Sequence, residues 1–267
     1  MTEFQKVYAC AKRPIDIWTN YLYYTISIRL VYLIRNTRIS PNGLTLTALV
    51  LAVAGSILFG VGSRPFVITG LILAQVSYVF DCADGQLARY RRQFSPIGGW
   101  LDQVSDRTKE FAVYFGLAYG YTRQHPGNTR IWILAMIALF SLYLLEYYGQ
   151  IGKQYFQSSQ PAKPSEASTK HGREAENPGS RTAESQVAEL HASGSADEAS
   201  DTFRKLQFWR SFVPFRGFII GEQYFAMLVF IAFGAVVPFF AFTAVLGVAM
   251  VVYRPAILFY KLRRNLL

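Results

Sequence analysis

Apolar residues in this chain gather into six runs of about 20, the length an α-helix needs to cross the hydrocarbon core of a bilayer. The runs cover roughly 42–61, 66–85, 99–122, 131–150, 217–236 and 238–257. A bilayer offers no water to satisfy backbone N–H and C=O groups, so each run has to close its hydrogen bonds on itself as a helix. The third run is the least apolar: Asp102, Asp106, Arg107, Lys109 and Glu110 fall in its first half, ahead of the apolar stretch Phe111–Tyr121. Only 16% of the 267 residues are charged, against roughly 25% in soluble domains. The expected fold class is an all-α membrane protein with six transmembrane helices.

Before the first run, "DIWTNYLYYTISIRLVYLIRN" mixes aromatic and aliphatic residues with Arg29 and Arg35. It is too polar to span and too apolar to be solvated all round, which predicts an N-terminal interfacial amphipathic helix. Ser40–Pro41 and Ser95–Pro96 each place a serine N-cap before a proline at the first helical position, the pairing that opens a helix. Pro238 marks the turn between the fifth and sixth runs.

The net charge of +10 is explained by its placement. With the N-terminus cytoplasmic, the segments on that side carry Lys6, Lys12, Arg13, Arg29, Arg35, Arg38, Arg89, Arg91 and Arg92. The same side also carries the basic residues of 153–216 and the tail residues Arg254, Lys261, Arg263 and Arg264, leaving Arg64, Arg123 and Arg130 opposite. This is the positive-inside bias, and it needs no nucleic-acid partner. The expectation is a multi-pass protein integral to the cell membrane, with both termini and the acidic site facing the cytoplasm. No cleaved leader is expected, because "MTEFQKVYACAKRP" lacks an apolar core.

Four regions follow. Residues 1–40 form a cytoplasmic N-terminus and the interfacial helix, and 41–152 hold transmembrane helices one to four. Residues 153–208 form a cytoplasmic loop, and 209–267 hold helices five and six with a basic cytoplasmic tail. Within the loop, 157–203 is poor in aliphatic and aromatic residues and is expected to be disordered. Two cysteines, Cys10 and Cys82, imply no disulfide framework. The histidines, His125, His171 and His191, lie in the loops between runs and make no metal site.

The chemistry-bearing stretch is "FDCADGQLARYRRQFSPIGGWLDQVSDR", Phe80–Arg107. At 100° per residue, Asp81, Asp84, Gly85 and Ala88 share one helical face, while Gly98, Asp102 and Asp106 step along one stripe of the next helix. Each helix thus presents two carboxylates beside residues with almost no side chain. The blander reading is a polar helix contact in which Arg89, Arg107 or Lys109 pairs the aspartates. Such pairing neutralises one or two acids, whereas four facing one pocket leave an excess that membrane segments carry for function. A hard divalent cation, Mg²⁺ or Mn²⁺, removes it.

Those residues match a family pattern. Asp81, Asp84, Gly85, Ala88, Arg89, Gly98, Asp102 and Asp106 fill D-x2-D-G-x2-A-R-x8-G-x3-D-x3-D without a changed gap, and the chain in this stretch resembles the CDP-alcohol phosphotransferase family. The six-run layout and the "SPNGLT" that opens the first run also resemble that family. The resemblance implies cleavage of the diphosphate of a CDP-alcohol, here CDP-diacylglycerol, with release of CMP. The alcohol phosphate would pass to a hydroxyl of a small polar acceptor in phospholipid biosynthesis. It implies that Asp81, Asp84 and Asp102 bind the metal and that Asp106 is the catalytic base, which in some members also ligates metal. Gly85, Ala88, Arg89 and Gly98 would surround the cytidine and its phosphates. Homodimers are common in the family.

For the acceptor, Arg107, Lys109, Lys205, Arg210 and Arg216 are basic candidates near the same surface, and Asp106–Arg107 resembles members that use inositol phosphate. Glu146 and Glu222, inside the fourth and fifth runs, are candidates for lining a polar cavity. Two other readings compete. An intramembrane prenyltransferase acting on prenyl diphosphate also uses acidic helices and Mg²⁺, but over two separated motifs. A cation or proton transporter would show a repeat or a discontinuous helix pair, and the sequence shows neither.

Overall fold

A computed structural model of the chain describes residues 2–11, 16–158, 218 and 220–263. The described residues form eight α-helices and no strand. They are α1 Glu3–Ala9, α2 Tyr24–Ile34, α3 Pro41–Val61, α4 Arg64–Arg91, α5 Pro96–Gln124, α6 Arg130–Ser158, α7 Ile220–Ala232 and α8 Val236–Arg263. A π-helical turn, Thr19–Tyr23, leads into α2. The chain forms two compact units, residues 1–147 with 213–267, and residues 148–212. Of the second, only the end of α6 is described. Nearly all of the expected disordered loop, with Arg210 and Arg216, lies outside the described residues.

The protein is helical and membrane-type, but the count of six spans is only partly visible. Four helices are long and apolar enough to cross a bilayer: Pro41–Val61, Arg64–Arg91, Arg130–Ile151 and Val236–Tyr260. Helix α5, at 29 residues, is long enough, but the charged residues in its first half keep it out of that set. Helix α7 is apolar but has 13 described residues, short of the about 20 a span needs.

Both serine–proline starts form as read. Ser40 Oγ accepts from Gly43 N at 3.1 Å and Ser95 Oγ from Gly98 N at 2.9 Å. Between α7 and α8 the chain turns at residues 233–235, with Gly234 at φ 76°. Pro238 sits just beyond, in the first turn of α8, where its missing N–H leaves no helical bond unmade.

Side-chain size sorts by face as expected where lipid is the solvent. On α3, Ala48, Ala52, Gly55 and Ser56 are buried, while Leu46, Val50, Val53 and Ile57 point outward. The small residues let α3 approach both α4 and α5 at backbone distance. A Cβ added to Gly70 of α4 would stand 2.6 Å from the Gly55 carbonyl oxygen. One added to Gly120 of α5 would overlap the Phe59 carbonyl. Hydroxyls seal the same seams: Ser77 donates to the Ala48 carbonyl at 2.6 Å, and Ser56 to that of Ala112. Toward α7, Tyr78 stacks on Tyr224 with ring centroids 4.4 Å apart, and Gln75 donates to the Tyr224 carbonyl at 3.1 Å.

Helix α4 ends on Arg92, whose left-handed φ of 56° caps it through bonds to Ala88 and Arg89. Residues 92–95 then reverse the chain into α5. Helices α4 and α5 both pack on α3, and the short turn leaves the second half of α4 and the first half of α5 at the same end of the bundle.

Candidate active site

At 28 residues, α4 is about 42 Å long, longer than the roughly 30 Å hydrocarbon core. Asp81 and Asp84 lie in its second half, and Asp102 and Asp106 lie in the first half of α5. The turn therefore brings all four to one end of the bundle.

The four acids divide into two pairs. Asp84 and Asp102 line an open cleft of about 230 Å³. Gly85, Ala88, Arg89 and Gly98 line the same cleft, together with Asn42 and Thr45 of α3. All four positions tied to the nucleotide by sequence thus share a wall with two of the aspartates. The glycines leave space that a side chain would take: a Cβ on Gly98 would meet Asn42 Oδ1 at 2.8 Å, and one on Gly85 would meet an Arg89 Nη at 3.3 Å. Arg89 is steadied from the N-terminal segment, its Nε donating to the Cys10 carbonyl at 2.6 Å.

Asp81 and Asp106 form the inner pair. Lys109, buried at 2% exposure, is ion-paired with Asp81 Oδ1 and, at 2.8 Å, with Asp106 Oδ1. Of the three cations weighed from sequence as partners for the aspartates, Lys109 alone is ion-paired with them among the described residues. Arg107 instead pairs with Glu110 at 2.7 Å and lies over the Tyr143 ring, 5.5 Å from its centroid. Glu222 is buried. Cys82 is half-buried against the apolar core.

Asp81, Asp102 and Asp106 each offer a carboxylate oxygen within 4.8 Å of the others. Hard oxygen donors on three converging side chains fit Mg²⁺ or Mn²⁺. Asp84 is fixed separately, accepting a 2.6 Å hydrogen bond from Thr45 at Oδ2.

Sequence reasoning passed over Thr45 and Asn42 as site residues. Both stand in "SPNGLT", where the serine and proline signal a helix start and mask the polar side chains that follow. In an α-helix that starts at Pro41, Asn42 and Thr45 are three apart and so share a face, the signal that both turn to the cleft.

Residues 38–163 match the family model for CDP-alcohol phosphatidyltransferases. The archaetidylinositol phosphate synthase of Pyrococcus horikoshii is 32% identical over 109 residues, 41% of this chain and 53% of that protein. The chain thus spans about half the length of this curated relative. Among solved structures, the phosphatidylinositol phosphate synthase of Mycobacterium tuberculosis with CDP-DAG bound is similar at a TM-score of 0.51 and 19% identity, over 88% of this chain and 92% of that one. The same enzyme in complex with manganese and citrate gives 0.51 and 18% over 88% of each chain. At such identity the likeness concerns the fold. The matched residues 38–163 contain the α4–α5 turn and its four aspartates, and over this stretch the chain is similar to CDP-alcohol phosphatidyltransferases.

Proposed function

We propose that the protein transfers a phosphatidyl group from CDP-diacylglycerol to a hydroxyl of a small polar acceptor, releasing CMP at the cytoplasmic face. The observation that carries this is the joining of two features. A cleft walled by Gly85, Ala88, Arg89 and Gly98 opens onto Asp84 and Asp102, and Asp81 and Asp106 each offer a carboxylate oxygen within 4.8 Å of one from Asp102.

In this reading the glycines let a nucleotide lie against the helix backbones. The guanidinium of Arg89 offers a planar fork to the donor's phosphate oxygens. Asp81, Asp84, Asp102 and Asp106 would hold Mg²⁺ or Mn²⁺, which would screen the charge of an anionic nucleophile approaching an anionic phosphorus. Asp106 takes the proton from the acceptor hydroxyl, and its ion pair with Lys109 fixes the direction in which it faces. No covalent intermediate is required, since one in-line displacement joins the groups held in place.

Inositol phosphate is the acceptor we favour. The support is the Asp106–Arg107 pair together with the similarity to an archaetidylinositol phosphate synthase. Arg107, half-committed to Glu110, remains a candidate for its phosphate. Arg210 and Arg216 remain candidates from sequence.

The deciding experiment is purified protein with CDP-diacylglycerol, Mg²⁺ and a panel of acceptors that includes inositol phosphate, scored by CMP release. Acceptor-dependent CMP release is expected. Absence of CMP release with every acceptor would overturn the reading.

A further inference from the structure

We propose that the N-terminal segment, residues 2–11, is a positioning element of the donor site: through the Cys10 carbonyl it aims the Arg89 guanidinium at the nucleotide cleft. The inference rests on reading Arg89 as the ligand of the donor's phosphates, and it concerns what holds that side chain in place. The segment lies outside residues 38–163, the stretch that matches the family model.

Helix α1 has seven residues, too few to persist alone in water, so it keeps its shape by docking. A capping box between Thr2 and Gln5 closes its first turn. Val7 is fully buried, in one apolar cluster with Leu44 of α3 and Ala83 and Leu87 of α4. Phe4 meets Tyr32 of α2 edge-on, ring centroids 5.6 Å apart, and Glu3 accepts from the Tyr90 hydroxyl at 2.8 Å. The segment therefore packs on the turns of α4 that also carry Asp84, Gly85 and Ala88.

Docking puts the Cys10 carbonyl 2.6 Å from Arg89 Nε. Cys10 caps α1, and a carbonyl at a helix C-terminus has no partner within the helix, so one bond satisfies both groups. A guanidinium is planar with its donors in fixed directions. Holding Nε on one edge therefore sets where the Nη edge points. The Nη atoms lie beside Gly85 on the cleft wall, where an added Cβ would meet them at 3.3 and 3.5 Å. Among the described residues neither Nη has a hydrogen-bond partner. Both remain for an anion, as a pair suited to phosphate oxygens. A side chain fixed beforehand loses less freedom when the donor arrives. The segment should act on donor binding and leave the transfer step alone.

The test joins kinetics with hydrogen exchange on the purified full chain in detergent. Val7→Asp puts a charge into the buried seat of α1. It should raise the donor KM about tenfold, the worth of one hydrogen bond to a charged group, with kcat unchanged. Arg89→Ala should also raise the donor KM, and adding Val7→Asp to it should change nothing more, because the segment acts through Arg89. Linkage is reciprocal, so saturating CDP should slow amide exchange within residues 2–11 of the unaltered protein. Any of three results overturns the proposal: CDP that binds without slowing that exchange, a folded Val7→Asp with the parental donor KM, or a Val7→Asp effect that persists in full beside Arg89→Ala. The exchange measurement needs no variant, so a Val7→Asp that fails to fold still leaves the proposal open to refutation. An Arg89→Ala with the parental donor KM, or CDP that does not bind, overturns the reading of the donor site and this proposal together.

Discussion

Thr45 of α3 donates a 2.6 Å hydrogen bond to Asp84 Oδ2 of α4, so one carboxylate of the cluster is aimed by a neighbouring helix. A partner of this kind fixes the orientation of a ligating oxygen, and losing it typically costs about 10–100-fold in metal affinity or activity. Thr45→Val keeps the shape and removes the donor. It should lower CMP release by about that factor, and Thr45→Ser should restore most of it. Equal rates for Thr45→Val and the parent protein would detach Asp84 from its orienting partner.

Asp81→Asn, Asp84→Asn and Asp102→Asn each remove one negative ligand while keeping size. If the metal supplies several kcal/mol of charge stabilisation, each should cut CMP release by at least about 100-fold without loss from the membrane fraction. Chelation should abolish release in the parent protein, and Mg²⁺ or Mn²⁺ should bring it back. Any of the three variants that releases CMP at a near-normal rate in saturating Mg²⁺ loses its place as a ligand.

Asp106→Asn separates proton transfer from binding. Asparagine still accepts a hydrogen bond but takes no proton, so turnover should fall by about 10²–10⁴ while donor affinity holds. Donor affinity and metal dependence that weaken together would make Asp106 a ligand first. Nucleotide and metal titrations on this variant decide between the two.

Gly70→Ala addresses the scaffold. Its Cβ would stand 2.6 Å from the Gly55 carbonyl oxygen and about 3.0 Å from the Phe59 ring. The helices must part, at the about 1–3 kcal/mol common for overpacked interiors. Thermal denaturation in detergent should show a lowered Tm, and an unchanged Tm would mean that α3 and α4 are not held at backbone distance.

Asp16 gives a pH-dependent test away from the cluster. It precedes α2, is 3% exposed, and its Oδ1 accepts from Thr19 N at 2.8 Å while Oδ2 has no hydrogen-bond partner among the described residues. Burial pushes its carboxyl above the ordinary carboxylate range. A raised folded value means that the unfolded chain ionises first, so stability falls as pH climbs from the ordinary range to the raised one. Asp16→Asn keeps the acceptor for Thr19 and removes the charge. It should be more stable than the parent by about 1–2 kcal/mol at neutral pH, with the gap closing in acid. A gap that persists in acid would assign the effect to packing.

The helices were legible because lipid imposes a simple rule on composition, and Ser40–Pro41 and Ser95–Pro96 announce two starts outright. One wall of the cleft was legible because Asp84, Gly85 and Ala88 share a helical face. Contacts between helices were not. Nothing in one helix's periodicity says that Thr45 will meet Asp84, 39 positions away. Lys109 was visible as a charge near the aspartates, but its choice of Asp81 and Asp106 over water depends on how the α4–α5 turn closes. The break before α8 lay with Gly234 and not with Pro238, because a positive φ is a property of the turn itself and proline suits the helix that follows.

The glycine seams that join α3 to α4 and α5 have a mechanical consequence. Bilayers differ in thickness, and a helix answers a mismatch by tilting. Three helices whose backbones touch have no compressible layer of side chains between them, so they tilt as one body. A thicker or thinner membrane then reorients Asp81 and Asp106 together and leaves their separation unchanged, and the site keeps its geometry while the lipid around it varies.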